Sequence, residues 1–393
     1  MLDCQKHRFH LPDGVHYLNC AYMGPLLKAV EEAGVAGVRR RRRPNEIGPE
    51  AFFEGADRAR SLFARLVHAR DPARVAIVPS VSYGIATVAK NARLESGQSI
   101  VVAREQFPSN VYAWRGLARR NGAELRTVGP SDSVRRGEAW SERLVDAIDE
   151  TTALVALGTV HWTDGTRFDL ERIGERAREV GAAFVVDGTQ SVGAMPFDVR
   201  AVRPDALVCA SYKWLLGPFA VGFAWLGPRY TDGSPLEETW LGRAGSEDFQ
   251  GLVDYTDAYQ PGAARFDMGQ RSNFALIGMT SAALEQLLEW GVPRIEAYIA
   301  GLTRPLIERA GELGFRVDDP AWVAPHIVGL RVPGGTALAE VKRALDGRGV
   351  VVSLRGDAVR VSPHLHADGA DIDALVEGLR EAVGAETVAG PRS

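Results

Sequence analysis

The sequence predicts an α/β fold with two domains: a large domain with a mostly parallel, seven-stranded sheet flanked by helices, and a smaller α+β domain at the carboxyl end. Short apolar runs alternate with longer stretches of helical period, which is the pattern of strands joined by crossover helices. After about Phe274 the pattern changes to two long helices followed by short strands. A chain of 393 residues is long enough to bury a core in both domains.

Seven short apolar runs are the candidate strands of the large domain. They are bounded by Gly, Pro or polar residues, which commonly mark the ends of strands. The runs are Val75–Val78, Ser99–Ala103, Leu125–Val128, Ala153–Leu157, Ala183–Val186, Ala206–Ala210 and Gly222–Leu226. Stretches of helical period lie between several of them, at Ser82–Asn91, Val111–Asn121 and Leu170–Val180. This order predicts a parallel sheet with helices on its faces.

The carboxyl-terminal part has a different pattern. Its predicted elements are two long helices, then short strands around a third helix, at Ala275–Trp290, Ile295–Leu313, Ile327–Val332, Ala337–Arg348 and Val350–Val361. We therefore divide the chain into an amino-terminal segment 1–16, a large domain 17–273 and a small domain 274–393. Within the large domain, Tyr230–Asp267 is rich in Gly, acidic and aromatic residues without a clear period, and we interpret it as a long functional loop.

The composition argues against several classes of partner. Lys and Arg total 46 against 50 for Asp and Glu, a formal charge of −4, so we expect neither nucleic-acid nor membrane binding. No apolar window approaches the length of a membrane span, and the first residues lack the apolar region of a signal peptide. The three scattered cysteines fit neither a disulfide framework nor a zinc site and suit a reducing compartment. We expect a cytoplasmic protein with a small-molecule partner.

Two further patterns are weaker signals. The five consecutive arginines Arg39–Arg43 favour a solvated helix end over an anion site or a subunit contact. His364 and His366 lie two residues apart without a third ligand at metal spacing, so we expect no metal site there.

A carboxylate and a lysine are predicted at the same edge of the sheet. Asp187 directly follows one candidate strand, and Lys213 comes shortly after the next. Open α/β folds place ligands at the carboxyl ends of their strands. The two residues could form a structural ion pair, or they could hold pyridoxal phosphate, with the carboxylate on the pyridine nitrogen and the lysine as a Schiff base. The motif alone leaves both interpretations open.

A phosphate site is predicted at the start of the helix after the first large-domain strand. The stretch Val78–Ile85 leaves a strand and begins a helix, so N–H groups, hydroxyls and the helix dipole could converge on a dianion. The alternative is that Ser80 or Ser82 is only an N-cap. Together with Asp187 and Lys213 in this chain order, the phosphate interpretation is favoured.

These motifs also carry a family resemblance. The most specific parts are VVDGTQSVGAMPFDV (185–199) and ALVCASYKWLLGP (206–218), and the match extends from YLNCAYMGPL (17–26) to VRVSPHLHAD (359–368). The chain resembles the class V aminotransferases, the group with cysteine desulfurases, kynureninases and isopenicillin N epimerases. The resemblance implies the type I fold of pyridoxal-phosphate enzymes, an amino-acid substrate, and a homodimer with shared active sites.

The resemblance implies roles for individual residues toward pyridoxal phosphate. Lys213 would form the Schiff base, Asp187 would pair with the pyridine nitrogen, and Gln190 would bind the ring hydroxyl. Phe107 would stack on the ring, although it could simply be a core residue. The phosphate would be held by Ser82, the N–H groups around Val81, Tyr212 and, from the neighbouring subunit, Gln270 or Arg271.

The resemblance also implies a substrate site. Arg355 is the candidate for the substrate carboxylate because a guanidinium binds a carboxylate at two points, and Arg360 is the second choice, interpreted as structural. Asn19 and Ala21 lie in the segment that lines the pocket in relatives, or form an ordinary turn. His161 and Trp162 stand where relatives commonly have a Ser-Asn pair, which suggests a more apolar pocket unless they only pack.

The reaction type is the least determined property. The chain has no cysteine after Cys209, which argues against the persulfide mechanism of cysteine desulfurases. The Phe107 and Tyr212 pattern favours a lyase that eliminates at, or cleaves a bond of, the β-carbon. An aminotransferase or an epimerase on the same fold is the alternative. A non-catalytic binding relative is a remote alternative, since Asp187, Gln190 and Lys213 are all present.

Overall fold

The structure is a computed structural model that describes residues 2–131, 133 and 135–384. Its strands, in chain order, are β1 (His16–Tyr17), β2 (Val75–Val78), β3 (Ser99–Ala103), β4 (Glu124–Val128), β5 (Thr152–Gly158), β6 (Ala183–Asp187), β7 (Ala206–Ala210), β8 (Gly222–Leu226), β9 (Val328–Arg331), β10 (Val350–Val351), β11 (Ser353–Arg355) and β12 (Ala358–Val361). Its α-helices are α1 (Lys28–Arg40), α2 (Glu54–Leu66), α3 (Val81–Asn91), α4 (Tyr112–Asn121), α5 (Arg136–Asp146), α6 (Leu170–Glu179), α7 (Val199–Val202), α8 (Phe274–Trp290), α9 (Val292–Glu312), α10 (Leu338–Gly347) and α11 (Gly369–Gly384).

Seven strands form the central sheet, in the order β2–β8–β7–β6–β5–β3–β4. The five strands from β7 to β4 are parallel to one another, whereas β8 pairs antiparallel with both β7 and β2. The predicted α/β fold with a mostly parallel, seven-stranded sheet is therefore confirmed. Because β8 alone runs the other way in this sheet, the carboxyl ends of the other six strands share one edge.

Both faces of the central sheet are buried. Successive side chains of a strand point to opposite faces. In β6, Phe184 and Val186 belong to a core shared with α2, α5, α6 and α8, whereas Ala183 and Val185 belong to a core shared with α3 and α4. Apart from the edge strand β4, which is partly exposed, the strands are continuous apolar runs. The bounds of all seven strands were predicted within one residue at each end.

A second, smaller core lies at the carboxyl end. Strands β9, β11 and β12 form an antiparallel sheet in the order β11–β12–β9, and its core includes residues of α9, α10 and α11. The amino-terminal strand joins this part of the molecule, since β1 pairs parallel with β10 and Leu18 lies in the smaller core. A few residues later, Cys20 and Ala21 belong to the large core. The segment from His16 to Ala21 therefore contacts both cores.

The helices that the sequence did not predict differ in the number of large apolar side chains that they bury. In α1 only Val30 and Gly34 are buried, which gives a weak apolar period. By contrast, α2 buries Phe63 and α11 buries Leu375 with other large apolar side chains. Helix α8 packs against both α1 and α2 and contributes Leu284 and Leu287 to the large core. The division of the chain after residue 273 stays a prediction.

The structure also bears on two sequence predictions, the exposure of the arginine run and the lack of a membrane-spanning helix. Helix α1 ends at Arg40, and the five arginines Arg39–Arg43 are all exposed. Among residues 2–131, 133 and 135–384, no helix is both long enough and apolar enough to cross a membrane.

Candidate active site

The carboxyl ends of four central strands open into one cavity of about 250 Å³. Its lining comes from the segments that follow β2, β3, β6 and β7 and from the turn before β8. The predicted residues among its lining are Val81, Ser82, Phe107, Asp187, Gln190, Tyr212 and Lys213. The structure thus brings together the residues that the sequence assigned to the cofactor of one chain.

Lys213 is buried at the base of this cavity, with 5% of its surface exposed. Its Nζ lies 5.2 Å from the ring centroid of Phe107 and 5.6 Å from that of Tyr212. Within the part of the chain that the structure describes, no group accepts a hydrogen bond from Nζ. Burial lowers the pKa of Lys213 to about 8, although the charge of Asp187 opposes the shift. The amine is therefore easier to deprotonate than an ordinary lysine, which favours its use as a nucleophile.

The backbone of Lys213 is held on both sides. The hydroxyl of Ser211 lies 2.5 Å from the carbonyl oxygen of Pro218 and 2.8 Å from that of Val221, which closes the turn after β7. On the other side, the N–H of Gly24 donates to the carbonyl of Tyr212, and a Cβ at Gly24 would lie 2.2 Å from the backbone oxygen of Lys213. A glycine is therefore required at position 24 for this close approach.

Asp187 is the last residue of β6 and is also buried. Its Oδ1 accepts a hydrogen bond of 3.0 Å from the backbone N–H of Thr189. The hydroxyl of Thr189 accepts in turn from the N–H of Ala210, which ties this turn to β7. Burial raises the pKa of Asp187, while the hydrogen bonds from Thr189 and the charge of Lys213 oppose the shift. A cationic partner in the cavity would keep this carboxylate ionised.

Gln190 has a fixed amide orientation. Its Oε1 accepts from the indole N–H of Trp214 at 2.9 Å, and its Nε2 donates to the backbone oxygen of Ala21 at 3.2 Å. Nε2 of His326 lies 2.6 Å from the carbonyl oxygen of Gln190. The predicted residue Ala21 therefore acts through its backbone, by orienting a residue that lines the cavity.

For Ser80 and Ser82 at the start of α3, the sequence left open a role as N-cap and a role in phosphate binding, and the structure gives the two serines different hydrogen bonds. Ser80 is the N-cap, since its hydroxyl oxygen accepts from the N–H of Tyr83 at 3.1 Å. Ser82 does not cap the helix, and its hydroxyl donates to that of Ser109 at 3.1 Å. The N–H groups of Val81 and Ser82 belong to the first helical turn, where no intrahelical acceptor exists. These groups line the cavity and suit an anion.

Phe107 lies at the cavity and not in the core. Its side chain is 36% exposed and meets the ring of Trp162 edge-on, with 5.4 Å between centroids. The indole of Trp162 donates to the backbone oxygen of Glu105 at 2.8 Å. The side chain of Gln106 bonds to backbone groups of Asn110, Ala156 and Gly158 and fixes the turn that carries Phe107.

Two arginines of the smaller sheet contact Trp162. The guanidinium of Arg355 lies 5.4 Å from the Trp162 ring centroid, and Arg360 donates to the Trp162 carbonyl at 2.7 Å. Arg360 is almost fully buried, and burial lowers its pKa to about 10, with the charge of Arg355 acting in the same direction. Among the described residues, neither guanidinium forms an ion pair.

The sequence interpreted Arg360 as structural, and that interpretation stays a prediction. Its position inside AVRV, a short apolar strand, predicts the burial that the structure shows. The predicted residue Asn19 belongs to the same group, since its Oδ1 accepts from Ser353, whose hydroxyl lies 3.4 Å from Arg360.

Gln270 lies outside the cavity of its own chain. It is exposed, next to Arg271, which is buried and paired with Asp267. Asp267 also pairs with Arg60 and accepts from the N–H of Ile77 in β2, so this loop is anchored to the central sheet. The role predicted for Gln270 concerns a neighbouring subunit and stays a prediction.

Comparison with known proteins identifies the family. The family model for class-V aminotransferases matches residues 48–374. Isopenicillin N epimerase from Streptomyces clavuligerus is 28% identical over 335 residues, covering 82% of this chain and 83% of that protein.

Two solved structures share the fold. A complex of the cystine C–S lyase C-DES with its product cysteine persulfide has a TM-score of 0.84 at 20% identity, covering 94% of this chain and 98% of that one. The cysteine desulfurase CsdA from Escherichia coli has a TM-score of 0.81 at 20% identity, covering 97% of this chain and 98% of that one. At this identity the likeness establishes the fold, which is that of type I pyridoxal-phosphate enzymes.

The residues of the cavity fit pyridoxal phosphate. Lys213 offers a buried amine without a hydrogen-bond acceptor in the described residues, Asp187 offers a carboxylate, and the start of α3 offers N–H groups for a phosphate. This cofactor serves the family that the match over residues 48–374 identifies. The chain is therefore a pyridoxal-phosphate-dependent enzyme and belongs to the class-V aminotransferase family.

Proposed function

We propose that this enzyme is a lyase that eliminates at, or cleaves a bond of, the β-carbon of an amino acid, with Lys213 as the residue that binds the cofactor aldehyde in a Schiff base. The cavity in which the buried amine of Lys213 and the carboxylate of Asp187 face the same space supports the Schiff base, and a lining without a cysteine favours the lyase. The bound cofactor supplies an electron sink for negative charge at the substrate α-carbon.

Each residue around the cofactor has a proposed task. Asp187 holds a proton on the pyridine nitrogen, because an anionic neighbour raises the pKa of that nitrogen. Gln190 binds the ring hydroxyl, with its amide already oriented by Trp214 and Ala21. Phe107 stacks on the ring. The phosphate contacts come from Ser82, the N–H groups around Val81, and Tyr212.

Lys213 is also the proposed acid and base at the substrate α-carbon. A pKa of about 8 lies close to neutral pH, where a group can both accept and release a proton readily. The rings of Phe107 and Tyr212 beside Nζ limit the access of water to the amine. The substrate carboxylate is bound by a guanidinium beside Trp162, for which the sequence favoured Arg355 and the contacts of Arg360 offer a second group.

The cysteines favour a lyase that needs no thiol to accept sulfur. The chain has three cysteines; Cys20 and Cys209 are fully buried, and none of the three lines the cavity. Burial raises the pKa of the Cys209 thiol, which disfavours the reactive thiolate. These positions do not suit the persulfide mechanism of a cysteine desulfurase.

An epimerase or an aminotransferase is the second candidate. The likeness to isopenicillin N epimerase over 82% of the chain favours the epimerase among these two. Both reactions also begin with proton removal at the α-carbon, so they would use Lys213 and Asp187 in the same way.

We propose in addition that the enzyme is a homodimer with shared active sites. Large apolar side chains are exposed near the cavity, including Tyr22 and Phe219, and the Phe219 ring packs on Tyr212 at 4.6 Å. A partner chain would cover such groups and could bring Gln270 to the phosphate.

The test uses the purified holoprotein. We expect a visible absorbance band, and reduction with borohydride followed by peptide mapping should place the cofactor on Lys213. Lys213→Ala should lose both the band and turnover, whereas the exposed control Lys342→Ala should keep both.

Release of pyruvate and ammonia from β-substituted amino acids identifies a lyase, while racemised product or amino transfer to a keto acid supports the second candidate. A labelled residue other than Lys213 would refute the assignment, and an active monomer would refute the dimer.

A further inference from the structure

His326 is a fully buried histidine that lies two residues before β9 and contacts a residue of the cavity wall. Its Nε2 lies 2.6 Å from the carbonyl oxygen of Gln190, which lines the cavity. A carbonyl oxygen only accepts hydrogen bonds, so Nε2 carries the proton and donates it. The imidazole also packs nearly perpendicular to the indole of Trp214, with 4.7 Å between the ring centroids. His326 thus contacts both Gln190 and the side chain that orients the Gln190 amide.

The amide of Gln190 has one favourable orientation. The indole N–H of Trp214 can only donate, and the backbone oxygen of Ala21 can only accept. A flipped amide would place N–H against N–H and oxygen against oxygen. Nε2 carries two N–H groups, and among the described residues Ala21 is its single acceptor. The second N–H is therefore available to a ligand in the cavity.

The backbone around His326 is anchored to the turn after β5. The N–H of Ala324 donates to the carbonyl of Gly165 at 2.8 Å. A Cβ at Gly165 would lie 1.9 Å from the backbone oxygen of Ile327, and the φ of Gly165 is +78°, so glycine is required there. The imidazole of His326 consequently reaches Gln190 from a segment whose position is fixed.

The imidazole of His326 is neutral at ordinary pH. Burial lowers its pKa to about 4, while the hydrogen bond to the Gln190 carbonyl opposes the shift. With the proton on Nε2, the other ring nitrogen carries a lone pair, and it has no hydrogen-bond partner in the described chain. His326 therefore adds a hydrogen bond and packing to Gln190 and Trp214 without adding a charge.

We propose that His326 is a positioning residue for the cofactor, which holds the backbone of Gln190 and the indole of Trp214 so that the second N–H of the Gln190 amide is available to the ring oxygen of pyridoxal phosphate. The proposal rests on the proposed function, because it takes Gln190 to bind that oxygen. An N–H group that donates to the ring oxygen stabilises the anionic form of this oxygen. Loss of the alignment should therefore raise the pH at which the visible band of the holoprotein changes.

The test measures the pH midpoint of the visible band in the holoprotein and the dissociation constant of pyridoxal phosphate from the apoprotein. Gln190→Leu removes the amide and should raise the midpoint by about one pH unit. His326→Phe keeps a ring beside Trp214 but removes the donor. It should raise the midpoint by about half a unit and the dissociation constant about threefold. His326→Gln, whose amide can again donate to the Gln190 carbonyl, should restore most of both values.

A double-mutant cycle separates a positioning role from a purely structural one. In the Gln190→Leu background the amide is already gone, so His326→Phe should lower stability without a further shift of the midpoint. A shift of equal size in both backgrounds would overturn the proposal, and so would an unchanged midpoint in His326→Phe alone. If His326→Phe does not fold, His326→Asn replaces it, because its shorter amide does not reach the Gln190 carbonyl, and the same outcomes apply.

His366→Phe is the matched control. His366 is also buried, and its Nε2 lies 2.8 Å from a backbone oxygen, that of Tyr17. Among the described residues it has neither a hydrogen bond nor a ring contact with Gln190 or Trp214. This variant should lose stability in urea unfolding and keep the original midpoint. A shift as large as that of His326→Phe would indicate a general effect of the core and overturn the proposal.

These outcomes are separable from failure of the proposed function. A protein that lacks the visible band, or whose band does not depend on Lys213, would refute the function itself. A midpoint that does not respond to Gln190→Leu would refute the role of Gln190 toward the ring oxygen, and that of His326 with it. A midpoint that responds to Gln190→Leu but not to His326→Phe would refute the positioning role alone.

Discussion

The residues proposed to bind the cofactor (the cofactor end) and those proposed to bind the substrate (the substrate end) stand on different parts of the fold. Asp187 and Lys213 follow strands β6 and β7, whose residues are all buried between two helical layers. Arg355 and Arg360 stand on the small antiparallel sheet, and Trp162 lies in the segment after β5. The residues proposed to bind the cofactor are thus fixed by the central sheet, whereas the arginines proposed to bind the substrate stand on the smaller sheet.

Because of this difference, we expect the residues at the cofactor end to determine the reaction chemistry and those at the substrate end to determine substrate selectivity. Groups on rigid, covered strands keep their positions when surrounding loops change, which suits the chemistry that a whole family shares. The contact from Arg360 to the Trp162 carbonyl joins β12 to the segment after β5, so we expect a change there to affect the substrate end most. Variants at the cofactor end should affect every substrate equally, and variants at the substrate end should discriminate among substrates.

The largest effect is expected from Asp187→Asn. The amide cannot stabilise a protonated pyridine nitrogen as a carboxylate does, so we expect turnover of every substrate to fall by at least about a hundredfold, equivalent to about 2.7 kcal/mol. Steady-state kinetics with several amino acids measures the effect. The exposed N-cap variant Asp71→Asn is the control and should remain active. A loss confined to one substrate would contradict the separation of the two ends.

A second prediction concerns the pH dependence of stability in the apoprotein. Lys213 titrates near pH 8 when folded and at its ordinary value of 10.5 when unfolded, so the unfolded chain binds more protons between these values. The free energy of unfolding should therefore rise with pH in this window, by at most about 3 kcal/mol, and the full penalty should be present below pH 8. Urea unfolding at several pH values tests this. In Lys213→Met the rise should disappear; an identical slope in both proteins would contradict the burial of a charged amine.

The smallest effect is expected from Ser82→Ala. Loss of one hydroxyl to a dianion should raise the dissociation constant for pyridoxal phosphate about tenfold, while the N–H groups at the start of α3 remain. Equilibrium titration of the apoprotein with the cofactor measures it. Ser61→Ala is the matched control, since the Ser61 hydroxyl lies on the exposed side of α2 and donates to the carbonyl of Asp57. Substrate selectivity should not change, and a shift in selectivity would link the two ends.

The sequence was sufficient to locate the strands that are buried on both faces. Strands covered on both faces must be apolar throughout, so β6 and β7 could be located, and with them Asp187 and Lys213 at their carboxyl ends. It was not sufficient for properties that depend on distant partners. Among the described residues, Arg360 has hydrogen-bond partners but no ion pair, and this depends on which residues pack against it. Its hydrogen-bond partner Trp162 lies 198 residues away in the chain. Likewise, only the hydrogen bonds show that Ser80 caps α3 and that Ser82 instead donates to Ser109.

The segment from His16 to Ala21 has a consequence for biosynthesis. The carbonyl of Ala21 orients Gln190, and the N–H of Ala21 donates to the hydroxyl of Ser362, while His16 lies opposite Val350 in the strand pair. Ser362 leaves the ribosome 341 residues after Ala21. A nascent chain can therefore form the central sheet early, but the wall of the pocket behind Gln190 is completed only after Ser362 has been synthesised.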